Sequence, residues 1–225
     1  MSKPRLVLAS QSPRRAELLQ LVGLRFDVVG AGVEEEPRAG EGPAELVARL
    51  SRAKASGAGP FGELRAGLAD GPGVLVIGCD TIVSLDGRIL GKPRDATEAT
   101  AMLQCLRGRS HRVCSALTCL GPRGRAETEV AATRVTMRVY SDAEIAAYVA
   151  SGDPLDKAGG YAIQHELFHP VDQVEGCYAS VMGLPLCHLV RCLSGWGVAP
   201  AKEVPTACQA HTGHRCAVYQ EIITL

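Results

Sequence analysis

Arg5-Leu6-Val7-Leu8-Ala9-Ser10-Gln11-Ser12-Pro13-Arg14-Arg15-Ala16-Glu17-Leu18-Leu19 is the stretch that decides the fold. Its apolar run stops at Ser10. Ser12 then offers a helix N-cap, and Pro13 falls at the first helical position, where its missing N–H costs nothing and its fixed φ suits the helix. Leu18, Leu19 and Val22 supply a buried stripe that Gly23 ends, and residues 25–29 read as a second strand. Strand, tight loop, helix and strand in this order make the first unit α/β.

Working outward, residues 30–43 read as a loop, and Pro43 starts a helix carrying Leu46, Val47, Leu50 and Lys54 on one face. Residues 57–73 are Gly-rich and read as loose. Val74 to Gly78 is a continuous apolar run ending at Cys79-Asp80-Thr81, and Asp86-Gly87 between Ile82-Val83 and Ile89-Leu90 is a hairpin signal. This region is expected at the centre of the sheet. Asp95 or Thr97 caps a helix through Leu103 and Leu106, and residues 111–120 and 128–139 read as strands around Gly121-Pro122-Arg123-Gly124. Ser141 opens another helix, and a last one follows Pro185. Hairpins mixed with helices predict an α/β fold with a mixed, twisted sheet flanked by helices. Residues 1–197 form the expected domain, while 198–225 change to Pro, Cys, His and small residues and suggest a poorly ordered tail.

Lys plus Arg (24) balance Asp plus Glu (24), so no global charge favours nucleic acid or membrane, and any anion site must be built locally. No apolar run approaches the roughly 20 residues of a membrane span, and none suits a signal peptide. Nine cysteines, an odd count without CxxC pairs, indicate reduced thiols and a cytoplasmic address.

Candidate chemistry starts at Ser10-Gln11-Ser12-Pro13-Arg14-Arg15. A strand end feeding a helix start gathers free N–H groups and positive dipole, to which two guanidiniums add a polyphosphate cradle; the plain alternative is a cap with solvated arginines. Asp80 follows a buried run, where α/β sheets expose ligand groups, and could hold Mg²⁺ or Mn²⁺ or activate water; the alternative is a turn cap. Lys54, Lys92 and Lys157 could each neutralise triphosphate charge, or merely be solvated. Glu34, Glu35 and Glu36 could add metal ligands or form a solvated face. Residues 156–164, Asp156-Lys157-Ala158-Gly159-Gly160-Tyr161-Ala162-Ile163-Gln164, suit close contact with a base or sugar, or a tight turn. Cys208, His211, His214 and Cys216 are too closely spaced for a familiar zinc finger and read as incidental. No G-x-x-x-x-G-K-[ST] occurs, which argues against a P-loop.

Taken together, Leu8 to Leu19, Gly78-Cys79-Asp80-Thr81-Ile82-Val83, Gly91-Lys92-Pro93, Asp156 to Gln164 and Val181-Met182-Gly183-Leu184-Pro185 resemble the Maf family in order and spacing over residues 4–194. The resemblance implies an inosine-triphosphatase-like fold, nucleoside triphosphate pyrophosphatase activity, a divalent metal (Mg or Mn) and a homodimer. Position by position it implies Asp80 as catalytic and metal-linked, with Glu35 as a second metal residue. Ser10, Arg14, Arg15, Lys54, Thr81, Lys92 and Gln164 would bind substrate. The arginine pair after Pro13 with Tyr161-Ala162-Ile163-Gln164 resembles the dTTP/UTP branch, because the branch associated with methylated GTP has tryptophan after that proline. Residues 165–170, His165-Glu166-Leu167-Phe168-His169-Pro170, replace an expected glycine-containing stretch, which keeps a non-catalytic nucleotide-binding module as the rival expectation and a pyrophosphatase for modified purine nucleotides as a second.

Overall fold

The structure, a computed structural model, describes residues 4–58 and 73–224. The loose segment expected at 57–73 therefore lies, from residue 59 to 72, outside the described residues. Seven strands form one mixed sheet: β1 (Arg5–Ala9), β2 (Phe26–Val29), β3 (Val74–Leu85), β4 (Arg88–Leu90), β5 (Ser110–Leu120), β6 (Ala126–Met137) and β7 (Val171–Glu175). Their order is β2-β1-β3-β5-β6-β7, with β4 beside β3. β1 runs parallel to β2 and β3, and the other pairings are antiparallel. The Asp86-Gly87 turn has φ of 50° and 80°, the left-handed pair that a two-residue hairpin needs.

Period-two alternation assigns the faces. Leu6, Leu8, Leu75, Ile77, Leu117 and Val135 point to one side, where they pack with Leu18 and Leu19 of α1 (Pro13–Gln20), Leu103 and Leu106 of α3 (Ala96–Leu106), Ile145 of α4 (Asp142–Ala150) and Leu186 and Leu189 of α6 (Leu186–Ser194). The opposite face is covered by α2 (Pro43–Ser56), whose Leu46, Val47 and Leu50 lie on Ile82, Cys114 and Ala116. Fully burying each such leucine is worth about 1.5–3 kcal/mol. The helix starts follow local chemistry: the Asp95 side chain accepts from Glu98 N–H, and Ser141 and Glu144 form a reciprocal capping box. A short helix α5 (Tyr178–Met182) precedes α6, and α7 (Val204–Thr212) and α8 (Tyr219–Thr224) follow it over the stretch where the sequence offers no strong ordering signal.

Among the described residues no helix is long and apolar enough to cross a membrane.

Candidate active site

β1 pairs with β3 only as far as Ala9 opposite Gly78, and β4 takes up the same side of β3 only at Val83. Between them, among the described residues, β3 continues without a neighbour on that side, so its backbone direction carries Asp80 and Thr81 past the end of β1 and beside the start of α1. Sequence reasoning places Asp80 at a strand end; the structure places it mid-strand, at a gap with the same effect. Because side chains alternate, Asp80 faces α2 and Thr81 faces α1.

On the α2 side, Lys54 from the last helical turn donates to Asp80 Oδ1 at 2.6 Å and pairs with Glu35 Oε1 at 2.6 Å. Asp80 is 4 % exposed and Lys54 9 %. Asp80 Oδ2 is buried and, among the described residues, has no hydrogen-bond partner. Burial raises the pKa of the Glu35 carboxyl, but hydrogen bonding and charge from Lys54, with Lys92 and Arg15 adding, outweigh it and hold Glu35 below the ordinary carboxylate value. The loop bearing Glu35 is tied to α2 by Arg49, which donates to Glu41 at 2.6 Å and to the Glu36 carbonyl at 3.0 Å.

On the α1 side, Arg15 Nε donates to the Gly183 carbonyl at 2.9 Å, Nη1 to Ser10 Oγ (3.2 Å) and the Cys79 carbonyl (3.0 Å), and Nη2 to Thr81 Oγ1 (3.2 Å). Thr81 is held in turn by Ser115 at 2.8 Å, its register partner on β5. Arg14 and Lys92 make no hydrogen bond or ion pair among the described residues. Ser12 caps α1 by position, with no side-chain bond to the helix. Ser12, Arg14, Arg15, Lys92 and Asp156 border two adjoining compartments. One continues past Ser10, Glu35 and Lys54; the other is walled by Val83, Val113, Ala158, Tyr161 and Met182. A cationic, carboxylate-bearing end joined to an apolar end suits a small anion carrying a ring.

A family model described as "Maf-like protein" matches residues 5–196. This chain belongs to the Maf family. It is 44 % identical over 194 residues to a dTTP/UTP pyrophosphatase of Geobacter sp. (strain M21), covering 86 % of this chain and 96 % of that protein. It is 42 % identical over 195 residues to one of Bacillus pumilus (strain SAFR-032), covering 87 % and 98 %. Among solved structures, a nucleoside-triphosphatase / dITP/XTP pyrophosphatase from Mycobacterium abscessus is a loose likeness, with a TM-score of 0.36, 18 % identity and coverage of 59 % of this chain and 74 % of that one.

The Maf match ends before α7 and α8. Within it, the structure gathers Ser10, Arg14, Arg15, Glu35, Lys54, Thr81 and Lys92 at the two adjoining compartments, with Asp80 buried behind Lys54 and paired to it. Gln164 lies apart from that lining, exposed beyond the buried Ile163. Lys157 borders the cleft, but its ammonium is engaged by the Asp153 carbonyl (2.6 Å), the Asp153 carboxylate (2.9 Å) and Asp156 (2.5 Å). Among the described residues no group of three or more His, Cys, Asp or Glu is arranged to hold a metal, in the Cys208–Cys216 stretch or elsewhere. Ser115 is the residue missed by sequence reasoning, since a serine inside an apolar strand gives no motif; only the β3–β5 register reveals it.

Residues 165–170 form a turn fastened on several sides. Phe168 stacks on Tyr148 at 4.4 Å between ring centroids, Phe168 N–H donates to His165 Nδ1 at 3.0 Å, and Arg138 donates to the Phe168 and His169 carbonyls at 2.8 and 3.1 Å. Behind Tyr161, His111 Nε2 is hydrogen-bonded to the tyrosine hydroxyl at 2.7 Å, and burial pushes the imidazole pKa down to about 4. Burial lowers His188 as well, with Glu129 opposing only in part. A folded-state pKa below the unfolded value of about 6.5 means that the unfolded chain binds protons first. Stability is therefore complete above about pH 6.5 and is lost as pH falls toward 4, on the order of 3 kcal/mol from His111. Urea midpoints should fall across this window, and His111→Gln, which keeps a partner for Tyr161, should flatten the slope. An unchanged slope in that variant would assign the acid lability elsewhere.

Proposed function

We propose that this Maf-family protein hydrolyses dTTP and UTP to the monophosphate and pyrophosphate. The observation that carries the reading is a buried carboxylate with one oxygen, Asp80 Oδ2, unpartnered among the described residues, held through Oδ1 by Lys54, which itself borders a cleft shared with Arg14, Arg15 and Lys92. The names of the relatives, matched over nearly their full length, support the choice of nucleotide. Water attacks the α-phosphorus, the bond to the bridging α–β oxygen breaks, and pyrophosphate leaves. Asp80 Oδ2 takes up the water's proton, Lys54 holds the carboxylate in place through Oδ1, and the free cations Arg14 and Lys92 bear the charge of the β- and γ-phosphates. The apolar walls of Val83, Val113 and Met182 receive the pyrimidine.

Asp80 and Glu35 present hard oxygen donors that fit a Mg²⁺ or Mn²⁺ ion bound through one or two carboxylates, with phosphate oxygens and water completing the shell. Such an ion would add Lewis-acid stabilisation of the phosphate charge. The reading includes a homodimer, tested by light scattering, and a reducing, cytoplasmic setting, with which nine free thiols agree and which a fusion reporter tests.

The purified protein, incubated with dTTP, UTP, CTP, GTP and methylated GTP with Mg²⁺ or Mn²⁺ and then with chelator, should release pyrophosphate but no orthophosphate from dTTP and UTP. Chelation should abolish release. Orthophosphate as the first product, or no turnover of any nucleotide, would overturn the proposal.

A further inference from the structure

The two adjacent arginines of α1 differ in what they have left to give. A guanidinium carries five N–H donors. Arg15 commits four of them: Nε to Gly183, both hydrogens of Nη1 to Ser10 and Cys79, and one of Nη2 to Thr81. One remains. Arg14, one residue away and bordering the same two compartments, commits none among the described residues.

What Arg15 holds is also distinctive. Its acceptors come from the end of β1, the open stretch of β3 and the left-handed Gly183 that ends α5, where φ is 114°. α5 and its cap supply Val181, Met182 and Gly183 to the apolar compartment. The same helix is fastened from behind: Thr81 bonds Ser115 (2.8 Å), Ser115 donates to the Ser180 carbonyl (2.5 Å), and Ser180 Oγ bonds Thr133 (2.8 Å). Ser115, Thr133 and Ser180 are fully buried. Arg15 thus closes a chain of hydrogen bonds that runs from the phosphate end of the cleft, across the sheet, to the wall of the nucleoside end.

We infer that Arg15 is a positioning residue that sets the α5 wall, and that Arg14 is the arginine that ligates the phosphates. This rests on the nucleotide reading above for the identity of the ligand, and it departs from the sequence expectation that both arginines serve the phosphates alike. Arg15 still adds positive potential to the cleft, since no carboxylate pairs with it among the described residues.

The test compares Arg14→Ala, Arg14→Lys, Arg15→Lys and Ser115→Ala with the unaltered protein, titrating inorganic pyrophosphate and dTMP separately by calorimetry and recording Tm. Arg14→Ala should weaken pyrophosphate about 10-fold or more with Tm unchanged, and Arg14→Lys should recover most of it because a point charge suffices. Arg15→Lys should leave pyrophosphate within about 3-fold yet weaken dTMP and lower Tm, because an ammonium cannot satisfy four fixed acceptors spread across a planar fork. Ser115→Ala, which removes the middle of the chain without bordering the cleft, should reproduce the Arg15→Lys pattern; it also keeps the test decisive if Arg15→Lys folds poorly. Arg15→Lys weakening pyrophosphate as strongly as Arg14→Ala does, or Ser115→Ala leaving dTMP binding unchanged, would overturn the inference. Should the unaltered protein turn over no nucleotide, the proposed reaction fails, while the pyrophosphate titrations still decide between the arginines.

Discussion

Asp80→Asn should lower kcat for dTTP by about 10²-fold or more while nucleotide binding survives. The change is isosteric and leaves an oxygen for Lys54, so the 2.6 Å contact from the ammonium can persist. What disappears is the negative charge and the unpartnered oxygen that can take a proton or face a cation. Breaking a buried ion pair ordinarily costs about 3–5 kcal/mol because it strands a charge. Here Lys54 keeps Glu35 at 2.6 Å, so the cation is not stranded, and Tm should move by only a few degrees. Removing one negative charge beside a triphosphate should also tighten dTTP binding measured without turnover. Unimpaired turnover in Asp80→Asn would remove Asp80 from the chemistry; an unfolded variant would recast it as a structural partner of Lys54.

The residues of the phosphate end were legible because their signals are local. A strand end followed by Ser-Pro-Arg-Arg, a carboxylate after an apolar run and a lysine interrupting a helical stripe each carry their meaning within a few positions. The hairpin at Asp86-Gly87 and the caps Asp95 and Ser141 were readable for the same reason. The nucleoside end was legible only in part, at residues 156–164, of which Asp156, Lys157, Ala158 and Tyr161 border it. Its other wall comes from α5, whose five residues are too few for a periodic signal. The role of Arg15 was equally hidden, because its acceptor at Gly183 is supplied by tertiary structure, whereas Lys157 is engaged within its own short segment by Asp153 and Asp156. α7 and α8 are too short to hold as isolated helices, so they owe their order to packing on the body: Val204 is buried, and Arg191 of α6 donates to the Ile222 carbonyl at 3.0 Å.

Gly78→Ala should be the most damaging single-methyl change in the molecule, destabilising it by about 3 kcal/mol or more. A Cβ at Gly78 would stand 2.2 Å from the Ser51 carbonyl oxygen and 2.5 Å from the Ala55 amide nitrogen, both backbone atoms of α2. No rotamer change relieves a collision with backbone, so the helix must lift from the sheet as a body. Lifting it opens the contacts of Val47 and Leu50 with Ile82 and Cys114, which adds lost burial to the strain. It also moves Lys54, which lies between Ser51 and Ala55 in α2, away from Asp80 two positions along β3. The expected result is therefore double: a urea midpoint well below that of the unaltered protein, and a loss of kcat in whatever fraction remains folded at low temperature. A Gly78→Ala protein of near-normal stability would mean that α2 sits farther from β3 than the close approach at Ser51 requires. Normal stability with lost turnover would instead mean that the helix slides along the sheet, carrying Lys54 out of register while the apolar contacts re-form.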